Sequence, residues 1–123
     1  MVADRTKNWI SALELHERKT DSNVRPLIVD VRAQPEFEAG HIPDAVNIPA
    51  EGVLESLPQL DTGQPVVLYC DLRHRGSSRS EGAAEQLRKA GFQVRVLEGG
   101  FPAWEAAEYP VTRRSQFHQI GKV

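Results

Sequence analysis

Val66-Val67-Leu68-Tyr69-Cys70-Asp71-Leu72-Arg73-His74-Arg75-Gly76-Ser77-Ser78-Arg79-Ser80 is the stretch from which fold and chemistry are read together. Four apolar residues of strand-like composition lead to the single cysteine of the chain, and a segment dense in arginine, glycine and serine follows before a helical pattern takes over. Strand, tight loop and helix in that order aim backbone N–H groups into one small volume. Such a volume favours a bound anion and stabilises a thiolate placed in it.

Working outward, the helix after the loop carries an apolar stripe at Ala83, Ala84, Leu87 and Ala90 and a cap at Gly91. Val94 to Leu97 then reads as a strand, Gly99-Gly100 as a permissive turn and Pro102 to Ala107 as a short helix. Upstream, Leu27 to Val31 has the length and the near-continuous apolar character of a strand buried on both faces, as strands of parallel sheets are. Before it, Trp9-Ile10 reads as a strand and Ala12 to Arg18 as a helix, with Ser11 and Glu14 at capping-box spacing. After it come a helical turn from Pro35 to Gly40, a connector His41-Ile42-Pro43 and a strand from Ala45 to Ile48 closed by Pro49. Val53 to Leu60 completes the series as a helix that Pro58 kinks or ends early. Strands alternating with helices at this spacing predict a parallel, helix-flanked α/β sheet.

A chain of 123 residues is one domain, expected over residues 1–112, with a basic, mobile tail over 113–123. Its 40% apolar and 26% charged residues and formal charge of -2 fit a globular protein and argue against a general partner role for nucleic acid or membrane. One cysteine excludes an intramolecular disulfide and multi-cysteine metal centres, and the four histidines show no metal-ligand spacing. The first residues are polar, and no apolar run approaches the roughly 18 residues of a membrane span. The expected compartment is the cytoplasm, where a thiol stays reduced.

The blocks Asp30-Val31-Arg32, Glu36-Phe37, Gly40-His41-Ile42-Pro43, Asn47-Ile48-Pro49, Tyr69-Cys70 and Gly99-Gly100-Phe101 with Trp104 resemble, in order and spacing, the single-domain rhodaneses, a sulfurtransferase family. The resemblance covers about Trp9 to Val111. It implies a three-layer α/β sandwich with a mostly parallel central sheet of about five strands. It also implies that Cys70 is the catalytic cysteine, which takes the sulfane sulfur of a small anionic donor such as thiosulfate. The sulfur is held as a persulfide and passed to cyanide, a thiol or a sulfur-carrier protein, with no metal or organic cofactor.

The loop departs from the common family pattern, a cysteine, four residues and then an arginine, serine or threonine at the helix start. Counting forward, Arg75 closes the loop; counting back from Ala83-Ala84, Arg79 opens the helix. Either the loop is four residues longer than usual or the helix begins near Gly76. The segment from Asp71 to Arg79 carries three arginines against one acid in a chain that is net negative, so Arg73, His74, Arg75, Gly76, Ser77, Ser78 and Arg79 are the candidate anion-binding residues. Asp71 opposes them, because a carboxylate beside a thiolate disfavours it unless it points away. Asp30 and Arg32 are expected to pair structurally near the site, His41 to be a hydrogen-bonded connector, and Phe101 and Trp104 to pack in the core or at its rim. Two other readings stand beside sulfur transfer. One is Cys-dependent phosphatase or arsenate reductase chemistry in the same fold; the other is a non-catalytic interaction module.

Overall fold

The computed structural model describes residues 8–21, 23, 25–56, 63–71 and 79–113. Its elements are β1 (Trp9–Ile10), α1 (Ala12–Lys19), β2 (Leu27–Asp30), α2 (Gln34–Ala39), β3 (Val46–Asn47), a 3-10 turn (Ala50–Gly52), α3 (Val53–Ser56), β4 (Val66–Tyr69), α4 (Arg79–Lys89), β5 (Val94–Leu97) and α5 (Gly100–Ala106). The strands form one sheet of order β1-β5-β4-β2-β3, and every pair is parallel. This is the predicted α/β architecture. β4 lies at the centre because its four residues are all buried, so it can sit only where both sheet faces are covered.

Alternation along the strands divides the core into two layers. Val29, Val66, Leu68, Val94 and Val96 face one side, where Val53 of α3 and Ala83, Ala84 and Leu87 of α4 cover them. Ile28, Val67, Tyr69 and Leu97 face the other side, against Leu15 of α1 and Phe101 and Trp104 of α5. The three-layer sandwich follows from that division.

Several boundaries differ from the sequence reading, each for a local reason. Glu14 supplies only half of the expected capping box. Its N–H donates to Ser11 Oγ at 3.0 Å, while its carboxylate turns to Arg95 and Arg18. Ala90 is exposed, since α4 ends at Lys89 and the chain turns at Gly91 with φ of +100°. The last helix begins at Gly100, two residues earlier than expected. A proline is tolerated at Pro102 because first-turn N–H groups have no intrahelical acceptor. Gly99 precedes it with φ of +75°, and a Cβ there would stand 2.7 Å from Ala103 Cβ, so both conformation and space require glycine. The strand expected over 45–48 is confined to Val46–Asn47, and a 3-10 turn precedes α3. Pro58 and Leu60 lie outside the described residues, as do positions 114–123 of the expected tail. Thr112 pairs its backbone with His41 in an antiparallel bridge, and Arg113 Nη1 donates to the Ala39 carbonyl at 3.1 Å. No helix among the described residues is long and apolar enough to cross a membrane.

Candidate active site

The strand order reverses between β2 and β4, since β2 runs on outward to β3 and β4 to β5 on the other side. In open parallel sheets the crevice at the carboxyl ends of such strands is where ligands bind. Here it is flanked by Asp30-Val31-Arg32 and by Cys70. The registers Val29↔Leu68 and Asp30↔Tyr69 set the two ends level, and Val31 N donates to the Tyr69 carbonyl at 3.0 Å.

Cys70 is 1% exposed and belongs to the layer shared with α3 and α4. Its carbonyl accepts the Phe101 N–H at 2.9 Å, which fixes the strand end against the first turn of α5. Asp71 lines a cleft of about 170 Å³ together with Arg32, Glu36, Gly40, Phe101 and Arg113.

Asp30 and Arg32 pair as expected, and both are buried. Arg32 Nε lies 2.9 and 3.1 Å from the two Asp30 oxygens, and Nη2 lies 2.6 Å from Oδ2 and 2.7 Å from the Gly40 carbonyl. Burial alone would lower the Arg32 pKa; the Asp30 hydrogen bonds and charge outweigh it and raise it. The guanidinium also stands 4.5 Å from the Phe101 ring centroid and 5.6 Å from that of Tyr69, within cation–π range. Burial, then the Asp30 charge, push the Tyr69 phenol far above its ordinary pKa, so it stays neutral and accepts the Ile42 N–H at 3.0 Å. Asn47 closes this base by donating to the Asp30 and Arg32 carbonyls, both at 2.9 Å. His41 is a connector: its Nδ1 meets the Phe37 carbonyl at 2.8 Å and its ring stacks on Phe37. Phe101 and Trp104 are core residues, with Trp104 Nε1 donating to the Pro110 carbonyl at 2.7 Å.

Of the candidate anion-binding residues only Arg79 is described. It stands at the start of α4 as described, with Nη1 3.3 Å from Glu36 Oε1. Burial would raise the Glu36 pKa, but hydrogen bonds from Arg79 and from the Ala33 N–H lower it on balance, so Glu36 is anionic. Arg73, His74, Arg75, Gly76, Ser77 and Ser78 lie outside the described residues, and with them the choice between a longer loop and an earlier helix start. The sequence reading missed Ser80. Its hydroxyl is fully buried, with no hydrogen-bond partner among the described residues. The available signal was its place three and four residues before Ala83 and Ala84, which puts it on the inward stripe of α4.

A model of the rhodanese-like domain matches residues 11–107. The chain belongs to the rhodanese-like domain family. Its fold agrees with the crystal structure of a rhodanese-related protein from Thermoplasma volcanium, with a TM-score of 0.73 and 28% identity over 85% of this chain and 97% of that one. Among curated proteins, this rhodanese-like domain is 42% identical over 78 residues to protein YqhL of Bacillus subtilis, covering 63% of this chain and 59% of that protein. It is 35% identical over 102 residues to an HTH-type transcriptional regulator of Mycobacterium tuberculosis, covering 83% of this chain and 43% of that protein. The chain thus spans about half the length of the curated relatives it matches.

Proposed function

We propose that this rhodanese-like domain is a sulfurtransferase that carries sulfane sulfur on Cys70. The observation that carries the reading is the position of the single cysteine. It directly follows the central strand of a rhodanese-like sheet, at the strand-order reversal, with its carbonyl anchored to α5.

The Cys70 thiolate attacks the outer sulfur of thiosulfate. A new S–S bond forms to Cys70 as the bond between the two donor sulfurs breaks, and sulfite leaves with the bonding pair. Cyanide or a thiolate then attacks the outer sulfur of the persulfide. With cyanide the products are thiocyanate and the original thiolate. Electrons and charge balance in each half without a cofactor, and no proton transfer is needed once the thiolate exists. Arg79 and Arg75 are the proposed partners of the donor sulfonate, because a guanidinium fork pairs with two oxygens at once. Asp30, Arg32 and Asn47 hold the floor and take no part in the chemistry.

The test is thiocyanate formation from thiosulfate and cyanide by the wild-type protein and by Cys70→Ser. Turnover that vanishes in the variant is the expected result. Activity that survives the substitution overturns the reading, and so does aryl-phosphate hydrolysis that depends on Cys70 without any sulfur transfer.

A further inference from the structure

At the other end of the sheet a groove of about 750 Å³ opens beside the amino ends of β2, β4 and β5. Its apolar lining includes the exposed Pro65 and the edges of the buried Pro26, Phe92 and Val94, and four arginines line it: Arg18, Arg25, Arg88 and Arg95. Among the described residues no aspartate or glutamate does. From Val66, which lines the groove, to Cys70 is four residues of strand, roughly 13 Å at the usual rise per residue, so this is a place apart from the cysteine.

Three of the arginines are held, yet little of the charge is neutralised. Arg95 donates to both Glu14 oxygens at 3.0 and 2.9 Å, and Arg18 shares the same carboxylate at 2.9 Å. Glu14 stays ionised there, its pKa lowered first by the Arg95 hydrogen bonds. Arg88 is fixed through Nε and Nη2 to a neutral acceptor, the Val94 carbonyl, at 3.2 and 3.0 Å. Arg25 is exposed, with no charge partner among the described residues. Among the described residues one carboxylate therefore answers four guanidinium groups, in a chain whose formal charge is -2. A concentration of positive charge against the sign of the whole molecule selects an anion.

The volume lies within the range of small-molecule sites, about 300–1,000 Å³, which are mostly apolar with a few placed polar groups. A bare inorganic anion would leave the apolar surface unused. We propose that this groove binds a small organic anion of the nucleoside-phosphate type, its ring against Pro65 and its phosphates on Arg25 and Arg88.

The test is isothermal titration of the full chain with ADP, adenosine and pyrophosphate in turn. Expected is saturable one-site binding of ADP, at least tenfold tighter than either adenosine or pyrophosphate and weakened by added salt. Arg25→Glu and Arg88→Glu should each weaken ADP binding at least tenfold, whereas Cys70→Ala should leave it within twofold. Arg25 is exposed, so R25E carries the test even if R88E does not fold. Absence of saturable ADP binding overturns the proposal. So does pyrophosphate binding as tightly as ADP, or ADP binding indifferent to Arg25→Glu. Binding of a polyglutamate peptide in place of ADP also overturns it.

Discussion

Arg79 Nη1 lies 3.3 Å from Glu36 Oε1, and this contact links the start of α4 to the first turn of α2 across the carboxyl end of the sheet. Both side chains are about 40% exposed, so the pair contributes at most about 1 kcal/mol to stability. Its consequence is electrostatic. Glu36 offsets the charge of an arginine proposed to meet the sulfur donor.

Glu36→Gln should therefore lower the KM for thiosulfate about two- to fivefold while shifting stability by less than about 1 kcal/mol. Steady-state kinetics beside thermal denaturation checks this. An unchanged KM in a folded variant would remove Arg79 from donor binding.

The Asp30–Arg32 pair differs in kind, because both partners are buried and the guanidinium also serves the Gly40 carbonyl. Asp30→Asn leaves a buried cation without its counter-charge, a change that costs about 3–5 kcal/mol. Urea denaturation should show a loss of that order. A loss under about 1 kcal/mol would contradict the view that this pair holds the floor of the site.

Ser80 should behave in the opposite way. Its buried hydroxyl has no partner among the described residues, and an unsatisfied buried group costs about 1–3 kcal/mol. Ser80→Ala removes that group and places a better helix former in α4, so the protein should gain roughly 0.5–1.5 kcal/mol. Destabilisation by more than about 1 kcal/mol would show that the hydroxyl is satisfied.

Glu14 governs part of the acid limb of stability. Hydrogen bonds from Arg95 come first among the influences that lower its pKa below the ordinary glutamate value; burial opposes them, and Arg18 adds to them. A carboxyl with a lowered folded pKa stabilises the fold above its unfolded value, and this contribution is lost as pH falls through the folded value. Tm should therefore decline below about pH 4.5, and Glu14→Gln should flatten that decline. Because Glu14 is partly exposed, the difference should stay under about 1 kcal/mol. Melting curves from pH 3 to 6 decide it, and parallel declines would contradict it.

The strands around the site were legible because each is a short apolar run with nothing else it could do. Val66 to Tyr69 and Val94 to Leu97 have the predicted bounds, and their pairing gives the parallel sheet. The Asp30–Arg32 pair was legible for a related reason, since an acid and a base at a buried strand end must meet each other. What sequence could not give are the contacts between elements distant along the chain. Glu14 reaches Arg95, 81 residues away, and Arg79 reaches Glu36, 43 residues away. Nothing local in Glu14 distinguished a capping-box carboxylate from an ion-pair partner. Gly40 illustrates the limit again: its φ of 171° is ordinary extended backbone, and the space it keeps open is for Arg113, whose Nη1 would stand 2.8 Å from a Cβ there.

The central claim is that Cys70 carries sulfur, and intact-mass spectrometry after incubation with thiosulfate tests it most directly. The account predicts a gain of one sulfur atom's mass, mapped to Cys70, absent from folded Cys70→Ser and discharged by cyanide as thiocyanate. A folded wild-type protein that gains no sulfur from thiosulfate or from a low-molecular-weight persulfide would contradict it.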